Sequence, residues 1–405
     1  MKSKEEIIKK TKTTKNSTSS KKTNTKKTVQ KKEENNKNVS KKVDTKQKVN
    51  KEEKLRLPIT KLQKLKLKHK RLIAIALLLL IIFIGLFFIK INNKKIEEKE
   101  EEKKVEKREE LTVYDINSDE RPYAVMIPND GQAKKRQYGI QDAYLVYEIT
   151  VEGGITRLLA LYKDVNVEKI GPTRSSRHYY LDYALENDAI YVHFGWSPQA
   201  QTDISTLGIN NLNGIYNPSN MFWRDNQYDA PNNAFTSTEN IKNAAKELDY
   251  RMTSTDYELL DYNKKIDLSK DETYKAANNV KIDYSGGSYV KYVYDKENEY
   301  YLRYNNENKH IDNNTNKQVH MKNIIVVKMD TISIAGDDKG RQNLNNIGNG
   351  TGYFITNGQS IEITWEKENR SSKTIYKDKS GKEIEVSDGN TFIQIQPTSK
   401  SLTIE

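Results

Sequence analysis

Three regimes of apolar patterning divide the chain. Residues 1–54 hold few hydrophobic positions, and these follow no period. Such a segment cannot bury enough apolar surface to offset its chain entropy and is expected to be disordered. Residues 55–70 (LRLPITKLQKLKLKHK) alternate apolar and basic positions, a pattern that suits anionic lipid headgroups and also reads as a solvated charge run. Leu72–Ile89 (LIAIALLLLIIFIGLFFI) is uncharged throughout. At about 1.5 Å per residue it reaches about 27 Å, close to the hydrocarbon thickness of a bilayer, with Arg71 and Lys90 at its ends to snorkel. No small-x-small cleavage site follows it, so an uncleaved signal anchor over residues 71–91 is expected rather than a removed signal peptide. Residues 92–111 begin with mixed charges at i,i+4 spacing, which predicts a solvated helical stalk.

From Leu111 the pattern becomes globular. RPYAVMIPN (121–129), AYLVYEITV (143–151), ITRLLALY (155–162) and AIYVHFG (189–195) are strand candidates, and VEKIGPTRSS (167–176) reads as a strand ending in a turn. HYYLDYALEN (178–187) sets Tyr180, Leu181, Ala184 and Leu185 on one helical face, while Ser197-Pro198 and Ser237-Thr238-Glu239 are helix starts. This alternation makes residues 112–265 an α/β half. Over residues 270–400, VKIDYS, YVKYVYD, YYLRYN, NIIVVKMDT, GTGYFITN, SIEITWEKE, KTIYKD and TFIQIQP recur as short strands between Asn/Gly/Asp turns, with hairpin signals at Thr356-Asn357-Gly358 and Asp378–Gly381. The fold class expected is α+β: one transmembrane helix, an α/β ectodomain half, and a mostly antiparallel β-rich domain.

Charge changes this picture at one end only. Up to Arg71 there are 26 Lys+Arg against 7 Asp+Glu, a net of +19, whereas the whole chain carries +12, so the remainder is acidic by 7. The basic character belongs to the tail (residues 1–70), no nucleic-acid partner is expected, and the Lys/Arg excess predicts a cytoplasmic N-terminus with the folded domains outside the cell membrane. The chain has no cysteine, which excludes disulfides, thiol catalysis, cysteine-ligated metals and a lipid anchor on a lipobox cysteine.

The segment 143–200, with the long strings VEGGITR and IGPTRSSR, closely resembles the YerB-like family of bacterial cell-envelope lipoproteins. RPYAVMIPN, FWRDNQYDAPNNAFTS (222–237), NIIVVKMD, TWEKENR and TFIQIQP extend the resemblance over residues 112–398. It implies a two-domain extracytoplasmic protein of a Gram-positive-type envelope, and it implies no activity, because both domains of the family are of unknown function. Two departures stand out. The chain has a membrane helix in place of the lipobox cysteine, and Pro231-Asn232-Asn233 where the family tends to show Pro-His-Asn.

The candidate chemistry centres on Arg174-Ser175-Ser176-Arg177. A turn from strand into helix, with Ser175 or Ser176 as cap and Arg157 on the strand before it, forms an anion site for phosphate or carboxylate. The alternative is structural, with the arginines paired to Glu148, Glu152 or Asp182. His178 and Asp182 stand at i,i+4, a spacing that allows a His–carboxylate pair, and with His193 they are candidate cleft residues. His193 reads as a hydrogen-bonded core histidine, since no zinc-ligand spacing surrounds it and no metal or cofactor is expected. Phe222-Trp223-Arg224-Asp225 joins aromatics to an ion pair and, with Trp196, predicts either a sugar or peptide cleft or an interdomain packing patch. Nucleophile motifs of the G-x-S-x-G kind are absent. The strand–hairpin–strand order followed by an arginine-bearing turn is also similar, in pattern, to the LytR-CpsA-Psr phosphotransferases. Three functions follow as expectations: an envelope protein binding an anionic wall polymer or protein partner; a glycan- or phosphate-acting transferase or hydrolase with Asp130, Glu148, Glu152 or Asp225 as acid or base; and a scaffold or sensor.

Overall fold

In the computed structural model, residues 61–108, 111–115, 118–254 and 258–405 are described, so the expected tail over 1–60 lies outside the described residues. Helix α1 (Lys61–Arg108) is continuous through the expected membrane and stalk segments. Its stretch Leu65–Lys99 is long and apolar enough to cross a bilayer, and its large apolar side chains between Leu72 and Ile89 are exposed. The chain separates into residues 1–81 and 82–405, with the boundary inside α1.

The second unit is organised by one 11-stranded sheet. The first half of the chain contributes β1 (Tyr123–Asn129), β2 (Leu145–Thr150), β3 (Thr156–Tyr162), β4 (Ile190–His193) and β5 (Asn211–Asn213). A second sheet is built on β6 (Asn279–Ser285), β7 (Ser288–Asp295) and β8 (Tyr300–Asn305). The chain then returns to the first sheet with β9 (Asn323–Met329), β10 (Gly348–Thr356), β11 (Gln359–Lys367), β12 (Ile375–Lys377) and β13 (Thr391–Pro397), and β14 (Leu402–Ile404) closes on β6. The large sheet runs β12-β11-β10-β9-β13-β2-β3-β1-β4-β5, with Lys275–Ala276 added beside β11. The expected division into an α/β region and a mostly antiparallel β region holds along the sequence, and one sheet passes through both. Its seam is the parallel pairing of β13 with β2, from Leu145 opposite Thr391 to Ile149 opposite Ile395.

Alternation along the central strands explains why they are buried on both faces. Ala124 and Met126 of β1, with Tyr147 and Ile149 of β2, join Tyr180, Leu181 and Ala184 of α2 (Tyr180–Glu186) and Ile204 of α3 (Pro198–Thr206) in one core. Val125, Ile127 and Val146 face the other way, onto Ile241, Ala244 and Ala245 of α4 (Thr238–Glu247) and onto Ile282, Tyr284, Tyr292 and Tyr301 of the second sheet. The expected helix starts are real caps: Ser197 accepts from the Ala200 N–H and Ser237 from the Asn240 N–H. The β10–β11 hairpin turns on Asn357 (φ 50°) and Gly358 (φ 74°), where a Cβ on Gly358 would stand 2.8 Å from the Tyr294 ring. The expected strand over 167–176 is extended chain that forms only isolated bridges, at Tyr138–Gly171, Ile170–Thr236 and Ser176–Trp196.

The second sheet docks through charge as well as apolar area. Glu148 of β2 points toward it and meets Arg303 of β8 at 2.6 Å, both side chains 0% exposed. Asn129 and Thr156 donate to the other carboxylate oxygen at 2.8 and 2.7 Å. The Arg303 guanidinium also donates to Asn305 and to His310 Nδ1. A guanidinium can only donate, so the His310 ring proton sits on Nε2 and the ring is neutral, held far below the usual histidine range by burial and by Arg303. Both Glu148 oxygens are therefore occupied by structural partners. Replacing Glu148 with Gln leaves a buried guanidinium without its counter-charge. The expected cost is about 3–5 kcal/mol in denaturant unfolding, with part of it recovered when Arg303 is also changed to Met.

Candidate functional site

Strands β5, β4, β1, β2, β13 and β9 all run in one sense, with β3 opposed among them, so their carboxyl ends share one edge of the sheet. Open α/β sheets bind ligands at such an edge. Here β1 and β4 pair only as far as Val125 and Val192. Beyond that point the segment 173–177 enters between them: the Arg174 N–H donates to Met126 O and the Phe194 N–H donates to Arg174 O. Gly171, at φ 136°, lets the chain pass within 3.0 Å of Ala234 O and the Phe235 ring at the position a Cβ would occupy.

This insertion brings the three predicted arginines together. Arg157, 5% exposed, donates to Ser175 O and reaches Glu152 at 3.4 Å. Arg177 forks onto both Glu152 oxygens and donates to Ser176 O. Burial would raise the Glu152 carboxyl, but the two guanidiniums overbalance it and hold it below the usual range. Burial and the neighbouring Arg177 bring Arg157 down to about 10. Arg174 differs from both. It is half-buried, its Nε is sealed from solvent without a partner, and the charges that bear on it are Asp130, Arg177 and Glu152. Two guanidiniums thus share the Glu152 carboxylate, and Arg174 stands beside them without an ion pair to it.

The local geometry departs from the expectation at the serines. Helix α2 begins at Tyr180 with no side-chain cap. Ser175 donates instead to Phe194 O, and Ser176 accepts from the Tyr191 hydroxyl, so neither caps a helix. The arginine cluster is held by strand ends and not by a helix N-terminus.

The other predicted residues scatter. Asp182 does not pair with His178; it is buried against Arg370 at 2.6 Å and accepts from Asn346 at 2.9 Å. His178 is half-buried and held below its ordinary pKa by burial. His193 is a core histidine bonded to Gly195 O at 2.8 Å and beside Asn211 at 3.2 Å. Arg224 and Asp225 do not pair with each other: Arg224 lies over the Phe194 ring and bonds Asn233, while Asp225 takes Lys169 at 2.7 Å. Trp223 faces Phe235 in a short hairpin. Trp196 lines a separate cleft with Tyr216 that does not include Trp223. Of the four candidate acids, Glu148, Glu152 and Asp225 are held in ion pairs, and Asp130 accepts from the Ala133 N–H at 3.3 Å. Among the described residues no group of three or more His, Asp or Glu side chains could hold a metal ion. Arg303, Lys367 and Arg370 were not singled out in the sequence. Arg303 left a trace there, as a charge on the inward parity of YYLRYN.

Residues 111–251 match the family described as protein of unknown function (DUF3048), N-terminal domain, and residues 280–393 match its C-terminal domain. YerB of Bacillus subtilis (strain 168), provisionally named a lipoprotein, is 32% identical over 290 residues, which is 71% of this chain and 84% of the relative. The crystal structure of the YerB protein from Bacillus subtilis superposes with a TM-score of 0.61 at 31% identity, covering 70% of this chain and 94% of that one. A lipoprotein relative and an N-terminal apolar helix together indicate an envelope protein associated with a membrane.

Burial holds the neutral form of His193, its pKa falling to about 4. An unfolded histidine protonates near 6.5. Above that pH neither state is charged; as pH falls from 6.5 toward 4 only the unfolded chain takes up the proton, so stability is lost across that window. The expected loss from His193 is about 3 kcal/mol, and His310 adds in the same direction. Urea titrations of the full chain in detergent at pH 7 and pH 4.5 check this, and His193→Gln is expected to shrink the difference.

Proposed function

Because the chain belongs to the YerB-like family built from the two DUF3048 domains, we propose that it is a single-pass membrane protein of the cell envelope. In this reading its N-terminus is cytoplasmic, its folded domains are outside, and it holds an anionic group of a wall polymer or partner at Arg174. The orientation rests on the Lys/Arg excess before the apolar segment.

One observation carries the binding site: Arg174 is a half-buried cation whose Nε has no partner. Removing a charge from water without an ion pair is costly, and Arg177 beside this one adds like charge that Asp130 and Glu152 offset only at a distance. A phosphate or carboxylate is the group that a planar fork of donors recognises, through two parallel hydrogen bonds. Binding without turnover is favoured over hydrolysis or phosphoryl transfer, because three of the four candidate acids are already committed to cations.

The test compares the full chain with Arg174→Ala and Arg177→Ala in detergent, titrated with a purified anionic wall polymer and with inorganic phosphate. Arg174→Ala is expected to weaken binding by about tenfold or more, roughly 1.4 kcal/mol, while unfolding as late as the parent. Arg177→Ala is expected to cost about 2 kcal/mol of stability, because it strips Glu152 of its fork. Unchanged anion binding in Arg174→Ala would remove the site.

A further inference from the structure

Edge strand β5 carries a second concave feature that the arginine site does not use. A cleft of ≈650 Å³ runs along it, walled by α3 on one side and by Leu248 and Tyr250, just after α4, on the other. Its floor and rim hold Trp196 and Tyr216, with ring centroids 5.8 Å apart. Tyr216 is 72% exposed and Ile215 beside it 57%, a local apolar display on an otherwise highly charged chain. Among the described residues no Lys, Arg, Asp or Glu lines the cleft, although 31% of the chain is charged. The polar side chains that line it are neutral, among them the amides of Gln201, Asn211 and Asn213 and the hydroxyls of Ser205, Tyr216 and Tyr250.

Asn213 supplies an independent sign of an occupant. It is 3% exposed, and its Oδ1 accepts from the Gly195 and Ile215 N–H groups at 3.0 Å each, which fixes the amide. Its Nδ2 is buried without a partner. A buried donor left unmatched costs free energy, and a ligand oxygen entering the cleft would satisfy it. The rim is also held in place. Asn217, Ser219 and Asn220 have φ of 44°, 50° and 52°, unfavourable for side-chain-bearing residues, and Asn217 is tied to Phe222 at both backbone groups.

We propose that this cleft binds a neutral pyranose of a glycan. A sugar ring offers an apolar C–H face to an aromatic platform and hydroxyls to side-chain amides, and it brings no charge that would need a counter-ion here. The segment 174–177 borders both features, since Ser176 bridges to Trp196. The two sites nevertheless stand on different residues, so each can fail alone.

The full chain in a detergent free of sugar headgroups is titrated with cellotriose, with chitotriose and with a neutral proline-containing tripeptide, followed by tryptophan fluorescence. Saturable binding of at least one sugar is expected, and Tyr216→Ala should weaken it by about tenfold with an unchanged melting point, because its ring is largely in solvent. Arg174→Ala should bind neutral sugar as the parent does. The proposal is overturned if neither sugar gives a saturable response, if Tyr216→Ala binds as tightly as the parent, or if only the tripeptide saturates the cleft.

Discussion

The structure depends on matching every deeply buried carboxylate of its first half with a cation from its second. Glu148 takes Arg303, Glu186 takes Lys367 at 2.6 Å, and Asp182 takes Arg370 at 2.6 Å. The first two pairs are wholly excluded from water. Breaking such a pair leaves an uncompensated charge in the interior, far costlier than the net worth of the intact pair. These contacts span separations of more than 150 residues in the chain, and with the β2–β13 seam they join the two regions around one sheet. Additional donors complete each site: Tyr147 and Thr374 on Glu186, Asn129 and Thr156 on Glu148, and Asn346 on Asp182.

The arginine cluster is the place where that matching is incomplete. Glu152 balances Arg177 and reaches Arg157, and the remaining cation is Arg174, whose nearest anionic influences are Asp130 and Glu152. The proposed anion site rests on this excess of positive charge at the carboxyl ends of parallel strands, where Arg157 and Arg177 are held by Glu152 and by the Ser175 and Ser176 carbonyls. The same residues explain why the surrounding acids are poor general bases: Arg177 and Arg157 hold Glu152 in its charged form, and Arg303 occupies Glu148.

Local rules carried the elements far. Strand periodicity located β1 to β3 and the later hairpins within a few residues, because apolar positions at spacing two have few alternatives. Ser197 and Ser237 were readable as caps because the donor groups they satisfy lie three residues away. The same logic failed at Ser175 and Ser176. Their hydroxyls find Phe194 O and Tyr191 across the fold, partners that no local window contains. His178 and Asp182 had ideal helical spacing, yet a buried carboxylate prefers a guanidinium to a ring, and Arg370 lies 188 residues away.

By itself the sequence determined the apolar helix, the order and type of most elements, the absence of thiol chemistry and the residues of the arginine cluster. These follow from period, composition and short-range hydrogen bonding, all of which act within a few residues. Tertiary structure alone decided which arginine forms no ion pair among the described residues, which acids are consumed, that one sheet joins both halves, and that Trp196 lines a cleft beside Tyr216 rather than with Trp223. Those outcomes depend on charges and rings brought together from distant strands, and pairing energies between such groups are set by burial and geometry that no linear spacing encodes.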